Sequence, residues 1–123
     1  MNLAAARIFV PDVAAAKTFY QSLLGLRLKS DGIPDGFCVF DAGDIDLVIE
    51  SVPDDAPEED RELVGRFTGL SFRVHDLAAQ YVRLRAAGVR FPGAPEAQSW
   101  GGLLATLRDP AGNVIQLVQY PAN

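Results

Sequence analysis

Short apolar runs along the chain alternate with stretches in which apolar residues recur every three or four positions. The runs at 5–10 and 69–74 contain β-branched and aromatic residues, which is typical of strands. A helical stripe follows each run: Val13, Ala16, Phe19, Tyr20, Leu23 and Leu24 in the first half, and Leu77, Tyr81 and Leu84 in the second. Further strands are predicted at 26–30, 36–42 and 45–50, and at 89–92, 102–108 and 113–119. This order of elements indicates an α+β fold.

Each predicted helix has residues at its ends that favour starting and stopping there. Asp12 and Asp76 stand directly before the helical stripes, where a carboxylate accepts hydrogen bonds from the first backbone amides of a helix. Gly25 and Gly88 stand directly after the stripes, where the chain often turns into a left-handed conformation that suits glycine. In both halves, a helix is therefore predicted to begin after an aspartate and to end before a glycine.

The two halves also repeat each other in sequence. The matches come in the same order and at offsets of 64, 63 and 70 residues: VPDVAA (10–15) with VHDLAA (74–79), GLRL (25–28) with GVRF (88–91), and IDLV (45–48) with IQLV (115–118). An internal repeat indicates two copies of one structural unit. We therefore predict two βαβββ modules, residues 1–51 and 69–123, within a single domain. The acidic, proline-containing segment 52–68 between them is predicted to be an exposed linker with one helical turn.

Length, charge and cysteine content restrict the class of protein. The chain has 123 residues, the size of one domain. Its formal net charge of −5 disfavours binding to nucleic acid or to an anionic membrane. No apolar run approaches the about 20 residues of a membrane span, and the N-terminus lacks the pattern of a signal peptide. The single cysteine, Cys38, excludes an internal disulfide. These features predict a cytoplasmic protein.

Three motifs carry a resemblance to a known family. They are V-x-D-[VL]-A at the start of each helix, FYQSLLGLRL at the end of the first helix, and LRDPAGNVIQLV near the end of the chain. With them, nearly the whole chain resembles the vicinal oxygen chelate superfamily, the glyoxalase/bleomycin resistance/dioxygenase group. The resemblance implies a U-shaped, eight-stranded mixed sheet with the helices outside and a small-molecule site in the cup. For the enzymes of the family it also implies a divalent metal held by two histidines and two carboxylates.

The positions that would hold this metal lack most of its ligands. The resemblance assigns the histidine positions to Ala5 and Gly69, which have no donor side chain, and the carboxylate positions to Asp46 and Gln116. Strand alternation turns Asp46 and Gln116 toward the cup. An amide oxygen is a weak metal ligand, and Glu50, two positions further along the same face, is a poor third ligand. We therefore predict no metal and no other cofactor. Asp46 is then the one buried acid of the cup and must pair with an arginine or with a cationic part of the ligand.

Other side chains share the predicted cup face. Alternation along the strands selects most of them, and the loop before the seventh strand adds an aromatic side chain that can line the mouth of the cup. The predicted ligand-binding set is Ala5, Arg7, Phe9, Asp46, Gly69, Ser71, Arg73, Trp100 and Gln116.

Two alternatives stay open for the charged and aromatic members of this set. Arg7 and Arg73 either hold an anionic or hydrogen-bonding group of a ligand, or one or both of them extend to the rim or pair with Asp46 or Glu50. Trp100 either lines the mouth of the cup or packs against its own loop or a partner subunit.

Three kinds of reactive side chain are predicted to lie outside the site. His75, the single histidine, stands beside a helix cap and is expected to be a solvated turn residue. Cys38 lies in an apolar strand and is expected to be a structural thiol. Tyr20 and Tyr81 lie on helices and are expected in the core.

Two functions of different classes fit these residues. Non-ligand residues at both histidine positions favour a metal-free protein, similar to the bleomycin-resistance branch, that binds a small organic ligand with an aromatic plane and a polar or anionic group. The alternative is an enzyme resembling a glyoxalase, lyase or dioxygenase, with an atypical site or with Asp46 or Glu50 as a base. A homodimer is expected in both cases, since the resemblance implies pairing and the chain has more aromatic residues than one cup needs: Phe37, Phe40, Phe67 and Trp100.

Overall fold

The computed structural model describes residues 1–122, and the chain divides into two compact units. The first unit contains Met1–Arg66 and Pro110–Asn113, and the second contains Phe67–Asp109 and the chain from Val114 onward. Each unit has one four-stranded sheet.

The first unit follows the order strand, helix and three strands. Its elements are β1 (Ala5–Val10), α1 (Val13–Thr18), β2 (Arg27–Gly32), β3 (Phe37–Asp41), β4 (Asp46–Ser51) and the short α2 (Glu58–Arg61) in the linker. The strands lie in the order β1-β4-β3-β2. The β1–β4 pair is parallel and the other neighbours are antiparallel, so the sheet is mixed. The parallel pair needs the long crossover that the helix and the two intervening strands provide.

The second unit repeats this plan. Its elements are β5 (Phe67–Arg73), α3 (Leu77–Ala86), β6 (Glu96–Ala97), β7 (Leu103–Arg108) and β8 (Val114–Gln119). The strands lie in the order β5-β8-β7-β6, and again the first pair is parallel while the others are antiparallel. The predicted α+β class and the two βαβββ modules are therefore confirmed.

The predicted signals at the helix ends are confirmed. The Asp12 and Asp76 carboxylates each accept a hydrogen bond of 3.1 Å from the backbone N–H three residues later. Gly25 and Gly88 follow the helical segments with φ angles of +75° and +93°, a region that favours glycine. The first helix is less regular than its pattern suggests, because residues 19–23 continue it as a π-helix. No helix within the described chain has the length and apolarity of a membrane span.

One face of each sheet packs under the helix of its unit and forms the core. The buried side chains include Ile8, Val10, Phe40, Leu47 and Ile49 with Val13, Ala16, Phe19 and Tyr20 in the first unit, and Ala105, Leu107, Ile115 and Leu117 with Leu77 and Leu84 in the second. Cys38 is also fully buried, and burial raises the pKa of its thiol. A buried, protonated thiol is a packing group and not a nucleophile.

The predicted strand at 89–92 is wrong. Within it, Arg90 forms a single antiparallel bridge with Arg108, and the sixth strand is the two-residue β6 further along the chain. Pro92 and Pro95 lack the backbone N–H that a strand ladder needs, so regular pairing starts only after them. The other predicted strands lie within one or two residues of the observed bounds.

Candidate functional site

The sheet of the first unit has an open face opposite to its buried face. The register brings to it the side chains of Ala5, Arg7, Phe9, Phe37, Val39, Asp41, Asp46, Val48 and Glu50. A shallow cavity of about 490 Å³ lies on this face, lined among others by Phe37, Val39, Val48 and Glu50. The two valines were not singled out from the sequence, although the same alternation that selects Asp46 also places Val48 there.

Arg7 is held by Glu50 across the β1–β4 pair. The Nε and Nη2 atoms of Arg7 each donate a hydrogen bond of 2.7 Å, one to each carboxylate oxygen of Glu50. The guanidinium carbon lies 5.1 Å from the centre of the Phe9 ring. Two parallel N–H···O bonds occupy the edge of the guanidinium that would otherwise meet an anion. Of the two alternatives for Arg7, the geometry favours pairing with a carboxylate.

Two further ion pairs lie on the same open face. The Nζ atom of Lys29 lies 2.6 Å from Oδ1 of Asp46, and Nη2 of Arg27 lies 2.8 Å from Oδ2 of Asp41. The hydrogen bond from Arg27 lowers the pKa of the Asp41 carboxyl. Asp46 is not a buried acid as expected, because 40% of its side chain is exposed. Its cationic partner is Lys29 of β2, two strands away from β4 in the sheet, and not an arginine or a cationic part of a ligand as expected.

The Arg7–Glu50 pair predicts how stability changes with pH. The hydrogen bonds and positive charge of Arg7 lower the pKa of the Glu50 carboxyl in the folded chain. Such a group adds stability above its unfolded pKa of about 4.3 and loses that contribution as the pH falls through the lower folded pKa. Urea denaturation should therefore show a steeper loss of stability for the wild type than for Glu50→Gln between about pH 5 and about pH 3. Asp44→Asn, at an exposed turn position, is the control, and parallel curves for wild type and Glu50→Gln would contradict the prediction.

The sheet of the second unit also has an open face, and Gln116 lies in the middle of it. The register places Gln116 between Ser71 of β5 and Thr106 of β7. Its Nε2 atom donates a hydrogen bond of 3.3 Å to the Thr106 hydroxyl, and its side-chain oxygen accepts none from the described residues. Leu104 and the loop 92–94 join Gln116 and Thr106 around a cavity of about 380 Å³. An unused acceptor beside a cavity is available to a ligand.

The positions assigned to the family's histidines do not fit a metal. Ala5 pairs in register with Asp46 but has no donor atom in its side chain. Gly69 has a φ of +73° and lies in the irregular stretch of β5 between Phe67 and Ser71. Residues other than glycine rarely adopt this conformation, so the backbone itself disfavours a histidine there. Within residues 1–122, no three His, Cys, Asp or Glu side chains come close enough together to hold a metal ion.

Three side chains cluster at one end of the open face of the second unit. The guanidinium carbon of Arg73 lies 5.0 Å from the centre of the Tyr120 ring, and the ring centres of Tyr120 and Trp100 are 5.7 Å apart. Trp100 lies directly on Gly102, where a Cβ atom would overlap the indole ring. Tyr120 was missed from the sequence because it stands just past the predicted strand, although it continues the alternation from Gln116.

A second cavity of this unit, of about 400 Å³, lies next to this cluster. It is lined by Arg73, Val74, His75, Gln119 and Tyr120. His75 is exposed, as expected of a turn residue, but its contribution to a cavity was not foreseen. The alternation of side chains along a strand could have indicated this, because His75 stands two residues after Arg73.

The family model of the Glyoxalase/Bleomycin resistance protein/Dioxygenase superfamily matches residues 2–117. The chain belongs to this superfamily. A bleomycin resistance protein from Klebsiella pneumoniae is 30% identical over 116 residues, which cover 88% of this chain and 84% of the relative. The resemblance drawn from the three sequence motifs is therefore confirmed.

Solved structures of the superfamily share the fold. A member from Sphaerobacter thermophilus has a TM-score of 0.77 and 28% identity over 97% of both chains. An antibiotic-binding protein from a Streptomyces strain has a TM-score of 0.76 and 31% identity over 99% of this chain and 97% of its own. A lactoylglutathione lyase from Agrobacterium tumefaciens, at 19% identity and a TM-score of 0.75 over 96% and 92% of the chains, shares the fold alone. Membership in the superfamily thus supports a binding or an enzymatic role.

Proposed function

We propose that this chain is a metal-free small-molecule-binding protein of the bleomycin-resistance type. The observation that carries the proposal is Gln116, an amide at a carboxylate position of the family, with an unused acceptor beside a cavity. A neutral amide both donates and accepts hydrogen bonds without the desolvation cost of a charge. It is therefore suited to recognise an organic ligand and poorly suited to hold a divalent metal.

The surroundings of Gln116 define the kind of ligand. Ser71 and Thr106 flank it in the register and supply hydroxyl groups for directed hydrogen bonds. Trp100 and Tyr120 supply aromatic surface further along the same unit. This combination favours a ligand that has an aromatic or conjugated plane and a polar or anionic group. The similarity to a bleomycin resistance protein and to an antibiotic-binding protein supports this class of ligand.

The enzymatic alternative has less support from the two candidate bases. Glu50 is engaged by both donors of Arg7, and the lowered pKa makes its carboxylate a weaker proton acceptor. Asp46 is engaged by Lys29 at 2.6 Å. A base in either position would first have to give up its ion pair, so we assign neither residue a catalytic role.

A thermal-shift screen tests the proposal. Aromatic acids, quinones and glycopeptide antibiotics are the compounds to screen, since a ligand at 100 times its dissociation constant adds about 2.7 kcal/mol to the free energy of unfolding. We expect Gln116→Ala to weaken binding of each hit about fivefold or more, the value of one hydrogen bond. The matched control is Gln21→Ala, at an exposed position of the first unit. Hits that bind Gln116→Ala with unchanged affinity would show that this amide is not part of the site.

Metal independence is tested separately. Calorimetric titration with Zn²⁺, Ni²⁺, Mn²⁺ and Fe²⁺ should give no one-to-one isotherm, and binding of organic hits should survive treatment with a chelator. The physical reason is that Ala5 and Gly69 contribute no donor side chain and that Asp46 is already paired with Lys29. A micromolar site that is lost in Asp46→Ala would overturn this part of the proposal.

We also propose a homodimer in the cytoplasm. Leu3, Phe67 and Val82 are large apolar side chains with most of their surface exposed, and their burial between two chains would stabilise a dimer. Phe40 does not contribute, because it is fully buried in the core. Formal charges of opposite sign on the two units also favour the association of two chains. The first unit has 13 acidic and 6 basic side chains, a formal charge of −7, and the second has 3 acidic and 5 basic ones, a formal charge of +2. Sedimentation should give twice the chain mass of 13.2 kDa, and the single chain mass at micromolar concentration would contradict this.

A further inference from the structure

The basic side chains on the two open faces differ in one respect. On the face of the first unit, Arg7, Arg27 and Lys29 each lie within 2.8 Å of a carboxylate oxygen. Arg73, on the face of the second unit, has no carboxylate within ion-pair distance among the described residues, and its contact is with the Tyr120 ring. A guanidinium that stacks on an aromatic ring keeps its N–H donors available at its edge. Arg73 is thus an open-face cation that is available to an anion.

The cavity next to Arg73 is lined by residues whose polar side chains can all donate hydrogen bonds. Arg73, His75 and Tyr120 contribute a guanidinium, an imidazole and a phenol, and no acidic residue lines it. The side-chain oxygen of Gln119 already accepts a hydrogen bond of 2.7 Å from the backbone N–H of Leu77, so the NH₂ group of its amide is the part left free. A concave surface rich in donors and without a carboxylate favours an anion with several acceptor oxygens.

We propose that this cavity binds an oxyanion, a carboxylate, sulfonate or phosphate, that is carried by the small-molecule ligand. The proposal rests on the proposed function and adds the place where the negative charge of the ligand is held. In the register of β5 and β8, Ser71 pairs with Gln116, and Arg73, two residues after Ser71, pairs with Val118. The anion site therefore begins two residues further along the strands than Gln116, on the same open face. One ligand can therefore bind both groups, with its uncharged part beside Gln116 and its oxyanion beside Arg73.

The first experiment uses His75 as a reporter. It is the single histidine of the chain, so its ring signals in a proton NMR spectrum need no assignment. Titration with inorganic phosphate or with 2-naphthoate should move these signals saturably. Arg73→Gln should abolish the effect, while Arg85→Gln should retain it. Arg85 is the matched control, because it also stacks on a tyrosine, Tyr81, but lies on α3 outside the cavity. No saturable shift with either probe, or an equal loss in Arg85→Gln, would overturn the proposal.

The second experiment compares three naphthalenes of similar shape by calorimetry. The anionic 2-naphthoate should bind more tightly than neutral 2-naphthylmethanol, and the cationic 2-naphthylmethylammonium should bind most weakly. Arg73→Gln should weaken 2-naphthoate about tenfold or more, the value of a charge-assisted hydrogen bond, and weaken 2-naphthylmethanol much less. Arg73→Lys should recover only part of the affinity, because lysine keeps the charge without the planar fork. Equal affinity for the anion and the cation would overturn the proposal.

These results separate the proposal from the function on which it rests. If 2-naphthylmethanol binds in a manner that depends on Gln116 while Arg73→Gln leaves 2-naphthoate unaffected, the binding function stands and the anion site is refuted. If no naphthalene binds but phosphate moves the His75 signals in an Arg73-dependent manner, the cavity binds an oxyanion and the small-molecule function fails. Phosphate that binds as tightly as 2-naphthoate would assign the cavity to a free inorganic anion and overturn the claim that the ligand carries it.

Discussion

Replacing Asn113 by aspartate is expected to lower the free energy of unfolding by about 3 kcal/mol at neutral pH. The Asn113 side chain is 1% exposed. Its Oδ1 accepts a hydrogen bond of 2.8 Å from the backbone N–H of Gly65, and its Nδ2 donates one of 2.9 Å to the carbonyl of Phe9. Aspartate keeps the acceptor but replaces the donor with a charged oxygen, which would then face the Phe9 carbonyl in a buried place.

The pH dependence of this variant identifies the cause. A protonated carboxyl group can donate to the Phe9 carbonyl, and burial disfavours the charged form, so the pKa of this carboxyl should be higher in the folded variant than the ordinary value of about 3.9. The deficit of Asn113→Asp should therefore shrink as the pH falls from that raised pKa to about 3.9 and stay constant below it. Asn113→Ala lacks both polar atoms and should keep a constant deficit of about 2 kcal/mol. Urea denaturation at several pH values measures both, and Asn2→Asp, at an exposed position, is the control. Wild-type stability of Asn113→Asp at pH 7 would contradict this account.

Gly102→Ala is expected to lower the free energy of unfolding by about 2 kcal/mol and to move the indole of Trp100. A Cβ atom at Gly102 would overlap the Trp100 ring and would lie 2.5 Å from the carbonyl oxygen of Gln119. Gly102 is buried just before β7, so the chain has little room to shift. The ring must leave its place, which removes its contact with Tyr120 as well.

Fluorescence measures this displacement directly, because Trp100 is the single tryptophan of the chain. The emission of Gly102→Ala should move to longer wavelength as the indole becomes more exposed. Gly93→Ala is the matched control, since a Cβ there would meet nothing within 4 Å. Adding Trp100→Leu to Gly102→Ala should recover part of the lost free energy of unfolding. The part that is not recovered reports the contact of the new Cβ atom with the Gln119 carbonyl oxygen. An unchanged emission spectrum would show that the indole does not lie on Gly102.

Much of the fold could be predicted from sequence because its signals are local. Alternation identifies most strands, and the caps at Asp12 and Asp76 mark the helix starts. The prediction failed at 89–92, because Pro92 and Pro95 lack the backbone N–H that regular strand pairing needs. For the candidate site, alternation placed Gln116 on the open face, but the predicted strand ended one residue before Tyr120.

The sequence by itself determined which residues face the core, where the helices begin, and that the family's histidine positions have no ligand side chain. It could not decide which cation meets which carboxylate. Arg7 and Arg73 both lie on the open face of the first strand of their unit, yet Arg7 is paired with Glu50 while Arg73 stacks on Tyr120. Such contacts depend on strand register and on neighbours that are 43 and more residues apart in sequence. Local patterns set the face of a side chain, whereas its partner is set by which strands pair, and only the tertiary structure decides that.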